Sequence, residues 1–371
     1  MKKYILGLFI ISLLIFLIFV LLRKSNDHQS RWKGEIIETS DRIIVRNPAE
    51  PAYKDYQLEL EHLFTLGNQP DENYVFHQAR GIGLDSQENI YVLDSGNFRI
   101  QVFDSNGKYL RTIGRRGQGP GEFPGFVTSF HISEKGYLYV GFGRLISRLT
   151  GVGEYDGSIS VPFYLYNFFV DSNENIYGNI IEWHEETQND KRSIVRLNRE
   201  GKIEREYFHM WRERDQFRGD IVSTRTTDGK LIYGWSEQHL FYINHEEKDK
   251  LIEVVSAIPP LPFSKEEKNM LREQQKRMRT RLKDAPVPQY KAYIHKIIAD
   301  DYGYIWIAAP PFSEERQCLF DVFDSRGRYL YRFNLKYFPR VITKNYLYSL
   351  RLDPDIGYLV EKVKMGNWPP H

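Results

Sequence analysis

Hydrophobic and polar positions follow two different rules along this chain. Lys2 and Lys3 precede an uncharged run from Tyr4 to Leu22, and Arg23 and Lys24 close it. Nineteen helical residues span roughly 28 Å, the thickness of a bilayer's hydrocarbon core. The run is longer than the apolar core of a signal peptide, and no small-residue cleavage site follows it. The expectation is an uncleaved anchor over residues 1–24 and a polar tether over 25–34. With a short basic N-terminus held in the cytoplasm, everything after the run lies outside the cytoplasmic membrane.

Beyond residue 35 the rule changes to short apolar-aromatic stretches separated by turn residues. A core of similar composition recurs around Tyr91, Tyr139, Tyr177, Tyr233, Trp306 and Tyr348, at spacings of 48, 38, 56, 73 and 42. The copy at 81–114, "GIGLDSQENIYVLDSGNFRIQVFDSNGKYLRTIG", reads as four strands joined by Asp/Asn/Gly turns. The fifth repeats it, with "DVFDSRGRYL" where the first has "QVFDSNGKYL". One such meander cannot bury both faces, whereas six arranged radially can, which is the signature of an all-β six-bladed β-propeller. Residues 340–365 hold three strands, so "QLELEHLFTLG" (57–67) is expected to complete the last blade and close the ring. Closure removes sheet edges that would pair with other chains. The alternation in "GEIIETSDRIIVRNP" (35–48) predicts further strands at an outer edge.

The longest spacing contains "PPLPFSKEEKNMLREQQKRMRTRLKDAPVPQY", an insertion over 259–289 closed by Tyr290. Ser264 and Glu267 have the spacing of a capping box. Residues 264–284 carry eight Lys/Arg and four Asp/Glu, with Met270, Leu271, Met278 and Leu282 as a thin apolar stripe. The prediction is one charged surface helix. Arg272, Lys276 and Arg279 are its candidate partner-binding residues.

Composition narrows the function classes. Net charge is +2 in 371 residues, so there is no basic excess of a nucleic-acid binder. Aromatic residues make up 15 % of the chain, which suits strands. Cys318 is the single cysteine, so neither an intrachain disulfide nor a Cys-based zinc site can form. It reads as a small core residue at a strand start.

The copy at 81–114 resembles the NHL repeat. The chain from about 35 to 368 resembles a bacterial six-bladed propeller family of uncharacterised function. "RIIVRNPAEP", "LEHLFTLG", "IYVLDSGNFRIQVFDSNGKYLRTIGRRGQGPGEF" and the Pro-rich segment before the charged helix carry that likeness. In that family the glycine-rich stretch is an interblade connector. Its residues agree: "GRRGQGPGEF" (114–123) has no Lys-Ser/Thr pair for a P-loop and no dinucleotide-loop spacing, and a strand follows it. Asp94 and Arg99 fall in the NHL turn and read as structural. The Asp is expected to accept backbone N–H groups of its own turn, and the Arg to pair with a neighbouring blade.

No catalytic signature stands out. "WHEETQND" lacks the second His of a zinc protease, and no G-x-S-x-G elbow occurs. Candidate ligand-binding residues lie where inner strands should begin: His77, Arg80, Phe126, Asn167, Arg218, His295 and Arg340. This basic and aromatic set suits an anionic or carbohydrate-like ligand better than a divalent cation. The reading is a membrane-anchored binding or scaffold module with no cofactor, no metal and no nucleic acid, whose partner is a protein or small molecule. The enzyme alternative is a metal-dependent hydrolase or lyase with ligands in the central channel.

Overall fold

Each recurring aromatic core sits on the second strand of a four-stranded antiparallel unit, and six such units close a ring. The computed structural model describes residues 31–187, 189–213, 219–245, 250–277, 286–309 and 318–370. In chain order, β1 (Glu35–Glu38), β2 (Arg42–Asn47) and β3 (Leu60–Leu66) precede the first complete blade. Blade 1 is β4 (Ala79–Leu84), β5 (Ile90–Asp94), β6 (Arg99–Phe103) and β7 (Tyr109–Ile113). Blade 2 begins with β8 (Ser129–Ile132), β9 (Leu138–Gly141) and β10 (Gly143–Leu149). The sixteen-residue β11 (Tyr155–Val170) then serves two blades. Its first half pairs with β10 (Ile146↔Ile159) and ends blade 2. Its second half pairs with β12 (Phe169↔Tyr177) and begins blade 3, which continues through β12 (Ile176–His184), β13 (Asn189–Leu197) and β14 (Ile203–Glu213). Blades 2 and 3 therefore form one seven-stranded sheet.

Blade 4 is β15 (Ile221–Arg225), β16 (Leu231–Trp235), β17 (Leu240–Asn244) and β18 (Leu251–Ser256). Its outer edge is extended by β2, parallel to β18, and then by β1. Helix α1 (Lys265–Arg277) follows. Blade 5 is β19 (Lys296–Ala299), β20 (Ile305–Ala308), β21 (Cys318–Phe323) and β22 (Tyr329–Leu335). Blade 6 is β23 (Pro339–Ile342), β24 (Tyr346–Asp353) and β25 (Gly357–Met365), completed by β3 from the N-terminal side (Val360↔Leu66). The spare strand expected at 57–67 is thus β3, and it closes the ring.

Packing explains the repeat. Tyr91, Tyr139, Tyr177, Tyr233, Trp306 and Tyr348 are each at most 2 % exposed. Burying side chains of this size contributes roughly 2–3 kcal/mol each. Successive blades share their apolar faces; Leu66, Tyr348 and Val360 of blade 6 pack with Ile82, Ile90 and Phe103 of blade 1. The first turn of each blade is held by one polar side chain. Asp85, Asp171 and Asp300 each accept backbone N–H groups two and four residues on, while Ser133 and Thr226 accept from four residues on and Thr343 from three. These are Asx and ST turns.

The capping box forms: Ser264 N–H donates to Glu267 Oε2 at 2.8 Å, and Glu267 N–H to Ser264 Oγ at 3.1 Å. Lys291 pairs with Glu267 at 2.6 Å and holds the helix start to the following chain. Leu271 is buried but Met270 is 57 % exposed, so only one of the two described stripe residues packs. Met278, Arg279 and Leu282 lie outside the described residues, as does the 4–22 run. Among the described residues, no helix is long and apolar enough to cross a membrane.

Candidate functional site

The inner strands β4, β8, the second half of β11, β15, β19 and β23 all run the same way, so the residues where each enters the ring share one mouth. Adjacent side chains along a strand point to opposite faces. On an inner strand those faces meet the preceding and following blades. Ile298 of β19 and Ile342 of β23 lie in one cluster between blades 5 and 6. Lys296 stands two residues before Ile298, and Arg340 stands at the bulge that breaks the β23–β24 register, near enough for its charge to bear on Lys296. The Arg340 guanidinium lies 5.1 Å from the Phe338 ring centroid, and the His295 ring packs on the same Phe338 at 5.8 Å.

Among the described residues, no carboxylate offsets the positive charge gathered at this corner. Burial, then the neighbouring Arg340, pushes the Lys296 amine down to about 7. The His295 imidazole, exposed at its outer edge and desolvated on its inner one, is lowered as well, with Arg340 and Lys296 adding to it. Burial lowers Arg340 itself, and its Nε has no hydrogen-bond partner among the described residues. No described carboxylate pairs with Lys296 or Arg340. Two other largely buried arginines are matched by carboxylates. Arg192 bridges Asp190 at 3.0 Å and Asp220 at 2.7 Å, and Arg332 meets Asp321 at 2.7 Å. Cys318, at the start of β21, is buried, and burial pushes its thiol up to about 11.

Lys296 and His295 also line a cavity of about 470 Å³ between blades 3, 4 and 5. Its polar wall is pre-ordered. Tyr166 Oη donates to Asp220 Oδ1 at 2.6 Å, Ser223 Oγ to Asn179 Oδ1 at 2.7 Å, and Asn179 Nδ2 to the Ile221 carbonyl at 3.0 Å. Burial, with Asp220 alongside, holds the Tyr166 phenol well above its ordinary range. The arrangement offers a guanidinium fork, an amine that can be neutral, and several fixed hydrogen-bonding groups.

A six-bladed ring with this strand order has a match among known families. The model of the family DUF5128, described as a 6-bladed beta-propeller, matches residues 82–283. The chain belongs to this family. The family is of uncharacterised function. Among solved structures, 87 % of this chain aligns with 99 % of a candidate exported protein from Bacteroides fragilis, at 12 % identity and a TM-score of 0.59. That likeness shows the fold alone. Virginiamycin B lyase from Staphylococcus aureus aligns over 84 % of this chain and 100 % of its own, at 11 % identity and a TM-score of 0.46. A gluconolactonase from Xanthomonas campestris aligns over 83 % and 90 %, at 11 % identity and a TM-score of 0.43. A search of curated proteins finds no match.

In this DUF5128 propeller the expected mouth residues separate into groups. Arg80 lies 4.4 Å from the centre of the Phe126 ring, and both are exposed. Asn167 lines the cavity with His295 and accepts a 3.4 Å bond from Ser129. His295 and Arg340 meet through Phe338. His77 sits apart, against Gly96 in the second turn of blade 1. Arg218 lies outside the described residues. Sequence reasoning missed Lys296, Tyr166, Asn179, Asp220 and Ser223. The one signal for Lys296 was a lysine directly before the apolar run "IIA" of an inner strand.

Asp94 is structural, with different partners from those expected. It is fully buried, accepts His77 N–H and Gln78 N–H at the start of the blade, and binds Arg99 Nε at 3.1 Å within the same blade. Arg99 also donates to the Glu72 and Val75 carbonyls. The glycine-rich stretch links β7 to β8; Arg115, 81 % exposed, pairs there with Glu122. Among the described residues, no three His, Cys, Asp or Glu side chains come together as a metal site.

Proposed function

We propose that this propeller is a membrane-tethered, extracytoplasmic binding module for a small anionic ligand, held at the mouth formed by Lys296, Arg340 and His295. The observation that carries this reading is the gathering of Lys296, Arg340 and His295 at one corner, where each cation's charge bears on the others. Two cations across one seam repel, and no described carboxylate offsets them. A ligand carboxylate or phosphate would supply the missing charge, and a guanidinium binds either as a fork. In this reading residues 1–24 anchor the chain, 25–34 tether it, and 35–371 form the propeller with its helical insertion. The charged face of α1, with Arg272 and Lys276 and the neighbouring Arg279, is a second surface for contact with a protein partner. Binding, not turnover, is the activity.

Calorimetry on the full-length protein in nanodiscs tests this, with inorganic phosphate, sulfate and small carboxylates at pH 6. Saturable binding is expected, weakened about tenfold or more in Arg340→Gln, since a hydrogen bond to a charged group contributes about 1.5–3 kcal/mol. If no anion binds, the reading fails. Stoichiometric calcium or zinc retained through purification would favour a metal-dependent hydrolase or lyase instead. Protease accessibility in spheroplasts tests the side of the membrane; protection of the propeller would overturn the extracytoplasmic placement.

A further inference from the structure

We propose that the cavity between blades 3, 4 and 5 binds a neutral sugar, its hydroxyl groups held by Asp220 and Asn167. This goes beyond the anion reading and does not depend on it.

Asp220 stands directly before β15 and Asn167 on β11, and both line the cavity of about 470 Å³. Small-molecule sites run from roughly 300 to 1,000 Å³. One oxygen of Asp220 is fixed. Its Oδ1 accepts the Tyr166 hydroxyl at 2.6 Å, Arg192 Nη1 at 2.7 Å and the Ile221 N–H at 2.8 Å. Its Oδ2 has no partner among the described residues, and the side chain is 44 % exposed. Asn167 leaves the opposite polarity open. Its Oδ1 takes the Ser129 hydroxyl, and its Nδ2 has no acceptor among the described residues. Behind them Ser223 and Asn179 are bonded to each other and to the Ile221 carbonyl, so the wall is rigid.

Charge decides the ligand class. Arg212 meets Asp190 at 2.7 Å, Asp190 meets Arg192 at 3.0 Å, and Arg192 meets Asp220 at 2.7 Å. Two guanidiniums offset two carboxylates, which leaves no net charge for a cation. An anion on this wall would meet the bare carboxylate oxygen and be repelled. A neutral hydroxyl suits both open groups, because it donates to Oδ2 in a charge-assisted bond and accepts from Nδ2. Val222 and Ala292, partly exposed in the same cavity, meet C–H groups. A sugar ring carries several hydroxyls and C–H groups on one compact frame.

The test uses full-length protein in nanodiscs and calorimetry. The probes are the methyl glycosides of glucose, galactose, mannose and N-acetylglucosamine, with cyclohexanol as the one-hydroxyl control and phosphate as the anion. Saturable binding of at least one glycoside is expected, with none for cyclohexanol at the same concentration. The bound glycoside should also protect the Asp220 carboxyl from carbodiimide coupling, mapped by peptide mass spectrometry. Asp220→Asn should lower affinity about tenfold or more, and Asn167→Ala roughly three- to tenfold. If phosphate binds and no glycoside does, the sugar site is wrong and the anion reading stands. If a glycoside binds with protection of Asp220 and phosphate does not bind, the anion reading falls alone. If neither binds, both fall. A glycoside that binds without protecting Asp220 sits elsewhere, and cyclohexanol binding as tightly as the glycosides would reveal an apolar pocket; either result overturns the proposal. Because protection is read on the unaltered protein, a misfolded variant leaves the test intact.

Discussion

The two ends of the inner-strand ring are built on opposite principles. At the end where inner strands finish, every polar side chain of the repeated turn is satisfied. Asp300 shows the extreme: it is 1 % exposed, its Oδ1 accepts two backbone N–H groups, and its Oδ2 accepts the indole N–H of Trp306 and of Trp368. At the end where inner strands begin, the charge of Arg340 bears on Lys296 with no counter-charge among the described residues. The first end recurs in all six blades, and among the described residues the second is found at one seam. A protein gains stability from satisfied turns and loses some from a like-charge pair. A destabilising arrangement that is not repeated is where a binding site belongs.

Replacing Asp300 gives the largest expected effect. Asp300→Ala leaves two backbone and two indole donors without their acceptor and is expected to cost roughly 3–5 kcal/mol in denaturant unfolding. Asp85→Ala breaks the same turn in blade 1, where the side chain is half-buried, and should cost less. Equal losses would show that turn geometry alone, without burial or the indole bonds, sets the stability of this end.

At the other end the sign reverses. Lys296→Met should stabilise the protein by roughly 2 kcal/mol at pH 6, where the folded chain must hold a buried charge. The folded amine titrates near 7 and an unfolded lysine near 10.4. Between those values the unfolded chain binds a proton that the folded chain lacks, so wild-type stability rises with pH across that window. The penalty is complete below about 7 and absent above about 10.4. The advantage of Lys296→Met should therefore shrink steadily as melting is followed from pH 6 to pH 10. A constant advantage would mean that Lys296 is not a desolvated amine and would weaken the contrast between the two ends.

The satisfied end was open to sequence reading because its logic is local. Asp85 reaches N–H groups two and four residues away, and Tyr91 follows at a fixed interval, so "DSQENIY" already contains the turn and its buried aromatic. The spare strand at 60–66 and the Ser264–Glu267 cap were legible for the same reason: strand alternation and a three-residue spacing suffice. What stayed hidden depends on partners far along the chain. Lys296 acquires its character from Arg340 on the next blade, and "HKIIAD" alone reads as a solvated lysine before a strand. The double role of β11 left only a short spacing between Tyr139 and Tyr177. Asp94 was read as structural, but its bonds to residues 77 and 78 follow from the strand pairing of blade 1, not from the turn.

A smaller test separates hydroxyl turns from carboxylate turns. In blade 4, Thr226 Oγ1 accepts Lys230 N–H at 2.9 Å. Thr226→Val keeps the shape and removes that acceptor together with the hydroxyl's donation to Asp228, so a loss of about 1–2 kcal/mol is expected in the same unfolding measurement. A loss as large as that of Asp300→Ala would mean that the turns of the ring fail cooperatively, and the end would have to be treated as one unit.

The smallest expected effect tests how far the unsatisfied end extends. Arg80 stands near the start of β4, on the blade next to that of Arg340, exposed, with its guanidinium over Phe126. A cation over an exposed ring contributes about 0.5–1 kcal/mol at most, and side-chain entropy offsets part of it. Arg80→Ala should thus change stability by less than about 0.5 kcal/mol. The informative readout is anion affinity. Unchanged affinity confines the site to blades 3 to 6, where Lys296, Arg340 and the Tyr166–Asp220 wall lie. A loss matching that of Arg340→Gln would place Arg80 on the ligand, and the contrast would then run between the two whole ends of the ring instead of between six turns and one seam.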